Sequence, residues 1–199
     1  MRSALLALVA LPLTTSLVAQ EADSLVSRPV APVVRRNVCP FECCVYREWT
    51  AIGEIPVYAT ENDPTVVAFT LSDGESFIAI EGNVHLDRLG LVAIHRSVTD
   101  TVYDTYHYES GDTLVVLNYV GEGFFNAWLG GRMLEVEAFW MFEDPDEHGT
   151  VDDPTIDGPA WTVVAEPDPH WWVRVQTKDD RNGWIYMNEA RVTNADACG

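Results

Sequence analysis

The chain has 199 residues, 47% of them hydrophobic, and 31 Asp and Glu against 12 Lys and Arg give a formal charge of −19. That length is enough for one large or two small domains with a real hydrophobic core. A field of this sign repels phosphate backbones and anionic lipid, which argues against nucleic-acid binding and for either an acidic, solvated surface that keeps the protein soluble or a chain that meets cationic partners or divalent ions.

At the N-terminus, Arg2, an apolar run from Ala4 to Leu13 and then Thr14-Thr15-Ser16-Leu17-Val18-Ala19 have the layout of a secretory signal peptide, residues 1–19, with cleavage after Ala19. The run is broken by Pro12 and falls short of the ~20 residues a spanning helix needs, so no membrane span is expected and the protein is expected to be secreted or periplasmic. Residues 20–44 have no clear period, carry Pro29 and Pro32, and end in a cysteine cluster, which reads as a leader or linker. From Val45 onward, short β-branched and aromatic runs alternate with Gly, Pro, Asn and Asp, an all-β pattern. Strands are expected at 55–60, 66–71, 76–81, 91–96, 113–120, 124–129, 132–139, 162–165, 171–177 and 183–186. Between 132–139 and 162–165 lies 143–158, with seven acids, two prolines and no period, expected as a long loop.

Two local patterns carry the most information. Asp73-Gly74-Glu75 followed by Ser76-Phe77-Ile78-Ala79-Ile80 lines up with Ser110-Gly111-Asp112 followed by Thr113-Leu114-Val115-Val116-Leu117, each a Gly-acid turn leading into an apolar strand. At 171–185, Val173 and Val175 alternate with Arg174 and Gln176, then come Asp179-Asp180-Arg181-Asn182-Gly183 and Trp184-Ile185: a β-hairpin in one stretch.

This hairpin, the Gly74 turn, and the opening formed by Pro56-Val57-Tyr58-Ala59, Asn62-Asp63-Pro64 and 66–71 resemble bacterial SH3-like domains. The resemblance implies two small SH3-like barrels packed in tandem. The first would occupy 45–98 and the second 101–193, interrupted by the acidic loop 143–158, with 194–199 a tail that ends near Cys198. It also implies a groove lined by aromatic rings. Parity places Trp171, Val173 and Val175 on one face of their strand, the core face, and Trp172, Arg174 and Gln176 on the other. Trp172 is therefore the groove candidate, with Arg174, Tyr119, Trp184 and Tyr186 as neighbours; the competing reading has such rings filling small cores.

Four cysteines in an exported chain suggest disulfides: one of Cys43 or Cys44 bonded to Cys198, and Cys39 closing a small loop with the other. Cys-x3-Cys-Cys lacks zinc-site spacing and has no histidine near it, so no metal is expected there. From Asp144 the acidic loop matches the first half of a calcium-binding EF-hand loop, with Gly149 at position 6, then fails: His148 stands at position 5 and Thr155 at position 12. The five histidines form no His-Glu-x-x-His, and no Gly-x-Ser-x-Gly or phosphate loop is present. The expectation is a non-enzymatic binding or scaffolding module without a cofactor, recognising a cell-wall peptide or a segment of another exported protein. The alternatives are an envelope-assembly protein without a groove, or a cell-wall hydrolase accessory.

Overall fold

The structure, a computed structural model, describes residues 26–100, 106–141, 150–151 and 159–198. The expected signal peptide 1–19 and nearly all of the acidic loop 143–158, with its calcium-loop resemblance, lie outside the described residues. The fold is all-β, with one short 3-10 turn at Phe139–Met141. In chain order the strands are β1 (Val33–Arg36), β2 (Glu48–Ala51), β3 (Ile55–Thr60), β4 (Asp63–Leu71), β5 (Ser76–Arg88), β6 (Gly90–Ile94), β7 (Val98–Asp100), β8 (Tyr106–Tyr108), β9 (Thr113–Gly121) and β10 (Phe124–Leu129). They continue as β11 (Arg132–Glu137), β12 (Thr150–Val151), β13 (Trp161–Ala165), β14 (Asp168–Thr177), β15 (Asn182–Tyr186) and β16 (Val192–Thr193). Every strand expected from the sequence is present; the additional ones are short or, like β1 and β2, precede the first expected strand.

Three sheets result. The first runs β16-β2-β5-β14-β15-β3-β4, with β1 also pairing β5; it curls around its core, and no pairing between β4 and β16 closes it. The second runs β11-β10-β9-β6-β13, and the third is β12-β7-β8. This pairing does not divide the chain at 98–101 into tandem units. Strands β6 to β13 leave the first sheet after β5, and the chain returns at Asp168 to lay β14 directly beside β5, paired from Asp168↔Arg88 to Thr177↔Phe77 with register shifts after Asp168 and after Arg174. The physical reason is the common core: Val173 and Val175 of β14 pack with Phe77 and Ala79 of β5, Leu71 of β4, Trp49 of β2 and Ile185 of β15. The two Gly-acid turns lead into β5 and β9, so the repeated phrase marks one central strand in each large sheet.

Strand β9 is covered on both faces. Leu114 and Val116 face the second sheet's own core with Val92, Ile94 and Val136, whereas Val115 and Leu117 meet Val84 and Leu86 of the long β5. Each buried aliphatic side chain of this kind contributes about 1.5–3 kcal/mol, and those between the layers join the sheets. The hairpin forms as the sequence indicates, with Val173↔Ile185, Val175↔Gly183 and Gln176↔Asn182. Its turn places Asp180 at φ 62°. The Thr177 hydroxyl donates to Asp179 at 2.6 Å and the Arg181 guanidinium donates to it at 2.8 Å, and together they hold the Asp179 carboxyl below its usual range. Gly183 has a steric cause: a Cβ there would stand 2.7 Å from the Tyr58 carbonyl oxygen, so β15 reaches β3 only without a side chain at that point.

Both disulfides are formed, Cys39–Cys44 and Cys43–Cys198, the latter spanning 155 residues. Around them the C-terminal segment is laid antiparallel to 43–47: Cys44 bridges Asp196, the Ala197 N–H donates to the Cys43 carbonyl at 2.8 Å, and Arg47 donates to the Asn194 and Asp196 carbonyls. Among the described residues no helix is long and apolar enough to cross a membrane.

Candidate functional site

The residues expected to line a groove fall in two places. Trp172, Arg174, Trp184 and Tyr186 come together on the outer face of the first sheet, where Trp172 is registered against Tyr186 and Arg174 against Trp184. Parity therefore assigned the face, but the face does not leave Trp172 open. Its residue is 2% exposed, stacked on Tyr186 at 5.0 Å and met edge-on by Tyr58 at 5.6 Å. The Tyr186 hydroxyl lies 2.8 Å from His170 Nδ1, and burial, with Glu189, Asp168 and Asp87 nearby, raises its pKa. Arg174 lies 3.5 Å from Glu81. Above this layer Glu61 is held by Asn83 Nδ2 at 2.9 Å and His85 Nε2 at 2.6 Å, with Arg36 at 3.7 Å. Trp172 thus forms a small second core and presents no ring surface for a ligand.

Tyr119 goes elsewhere, to β9, and there it lines a cleft of about 760 Å³ between the first and second sheets. The inner surface comes from Val84 and Trp171 on one side and from Val116, Leu117 and Tyr119 on the other. Phe125 meets Tyr119 edge-on at 5.2 Å and Trp140 at 5.6 Å, so three rings form one continuous wall. Pro40 and Phe41, carried by the loop that Cys39–Cys44 closes, also line the cleft; Phe41 meets Trp171 edge-on at 5.8 Å. Pro167 and Pro169 in the return to β14 line it as well, and among its apolar lining residues Met141, 68% exposed, and Val163, 40% exposed, open to solvent at its mouth.

Polar groups in the cleft are few and mostly committed. Asn188 clamps the wall: its Oδ1 accepts the Trp171 N–H at 3.0 Å and its Nδ2 donates to the Pro169 carbonyl at 3.0 Å. Asn118 donates to the Tyr119 carbonyl at 3.1 Å, and the Gly123 N–H donates to the Tyr119 hydroxyl oxygen at 3.1 Å. Glu166 and Tyr119 are the ionisable side chains among the lining residues, which include no histidine. Close behind, Tyr46 donates to the Val38 carbonyl, and burial pushes its hydroxyl up to about 12. All four cysteine sulfurs are bonded to each other, so none is a free thiolate for a metal. Such a surface can desolvate apolar side chains and orient them with a few fixed dipoles; it offers no paired acid and base.

Sequence reasoning reached Tyr119 but missed Phe41, Trp140, Met141, Pro167 and Val163. Nothing in local spacing links them, since they come from the disulfide loop, the turn after β11 and the segment before β14.

Fold and site define an all-β, disulfide-fastened protein with an apolar cleft between two sheets. The sequence matches no protein-family model, no curated protein and no solved structure.

Proposed function

We propose that the protein is a non-enzymatic binding module of the secreted or periplasmic space, and that its cleft takes an extended, apolar segment of another exported polypeptide carrying basic residues. The observation that carries this is the ring- and proline-lined cleft of about 760 Å³, a size and chemistry suited to binding without catalysis. The charge of −19 favours a basic partner, and it opposes a carboxylate-rich cell-wall peptide. The two disulfides support an oxidising compartment.

The test is fluorescence anisotropy of a labelled decapeptide alternating leucine and lysine, run beside co-sedimentation with purified peptidoglycan. The decapeptide is expected to bind at physiological salt, and Phe41→Ala to weaken it by about tenfold, the equivalent of one lost buried side chain. Met141→Asn at the exposed mouth should weaken it without lowering the thermal transition. Sedimentation with peptidoglycan, together with no binding of the decapeptide, would overturn the proposal.

A further inference from the structure

Strand β13, one of the two edge strands of the second sheet, contributes Val163 and Ala165 to the lining of the same cleft. Strand β13 ends that sheet, and among the described residues β6 is its one strand neighbour. The phase of the β6–β13 ladder follows from its end. The His95 N–H donates to the Ala160 carbonyl at 2.8 Å, while Ile94 turns both main-chain groups the other way, donating to the Asp112 carbonyl and accepting the Gly111 N–H. Antiparallel pairs alternate between bonded and non-bonded. With Trp161↔Ile94 non-bonded, Thr162↔Ala93 is bonded and Val163↔Val92 is again non-bonded. The N–H and C=O of Val163 therefore point out of the sheet, away from β6.

Val163 is also a lining residue of the cleft, 40% exposed. After it the register shifts, so Val164 is an extra residue, 62% exposed, and the edge bends there. Among the described residues, one residue thus offers an unpaired main-chain donor and acceptor beside an apolar cavity. A lipid chain or small apolar molecule has no use for the first of these. A polypeptide uses both, because a strand added to an edge pairs its main chain and sends every second side chain to one face.

Resting on the cleft reading above, we infer that the partner segment binds as an added β-strand along β13, pairing with Val163, with alternate apolar side chains in the cleft and the intervening basic ones toward the acidic exterior. No charged side chain stands between Trp161 and Ala165 to guard the edge against such pairing.

The experiment is a two-by-two cycle read by anisotropy. The protein is the parent or Val163→Pro, which deletes the outward N–H and leaves the β6 bonds in place. The probe is the leucine–lysine decapeptide or the same peptide N-methylated at alternate residues. Each change alone should weaken binding by about tenfold or more, and the two together no more than either one, since both remove the same ladder. Amide exchange at Val163 should slow when the unmethylated peptide binds, a readout independent of how the proline variant folds. Strand addition is overturned by an N-methylated peptide that binds the parent as well as the unmethylated one, or by fully additive losses. If Phe41→Ala still weakens binding in that case, the cleft reading survives alone; if it too has no effect, the cleft reading fails with it.

Discussion

Replacing Trp172 by Ala discriminates most sharply between a groove residue and a core residue. A fully buried tryptophan removes about 150–250 Å² from water, which at ~25 cal/mol per Å² corresponds to about 4–6 kcal/mol. Two effects reduce that figure. The denatured chain already buries part of its apolar surface, and the buried Trp172 Nε1 has no hydrogen-bond partner among the described residues, so its deletion relieves about 1–3 kcal/mol of desolvation. A net loss of about 3 kcal/mol is expected, within the range of large-to-small core changes, and for a chain of this size it lowers the thermal midpoint by about 6–12 °C. Trp172→Phe keeps an aromatic ring against Tyr58 and Tyr186 while removing the unpaired N–H, and should cost about 1 kcal/mol or less. The assay is urea unfolding followed by far-UV circular dichroism, with decapeptide affinity measured on the folded variants. An Ala variant as stable as the parent but impaired in binding would refute the packing account and restore Trp172 to a groove.

Removing the long disulfide with Cys43→Ala and Cys198→Ala together should cost about 2–5 kcal/mol in urea unfolding, because it releases a 155-residue closure; an unchanged midpoint would show that the hydrogen bonds of 194–197 suffice. The raised Tyr46 hydroxyl gives a pH signature. The folded state holds this proton more tightly than the unfolded one, so its stabilisation is complete below pH 10 and is lost as pH rises from 10 to about 12. The parent should lose more stability than Tyr46→Phe between those values, and parallel curves would contradict the burial of that hydroxyl.

Much of the fold was legible because strand signals are local. The alternation Trp171–Val175, the polar turn and Gly183 fixed the β14–β15 hairpin, and the Gly74 and Gly111 turns located the central strands of both large sheets. Which strand lies beside which was not legible. Pairing β14 with β5 joins segments separated by the whole of β6 to β13, and the alternation of β14 suits a barrel of its own as well as the first sheet's core. Trp172 illustrates the same limit: parity names a face, but Tyr58, from another strand, decides whether that face is covered. The cleft was hidden for the same reason, since Phe41, Tyr119 and Trp171 meet only through tertiary packing.

Residue-resolved amide exchange, with and without the leucine–lysine decapeptide, locates the ligand most directly. A segment in the cleft slows exchange at Phe41, Tyr119 and Val163 and leaves Trp184 and Tyr186 unchanged. Protection confined to Trp184 and Tyr186, on the outer face of the first sheet, would contradict it.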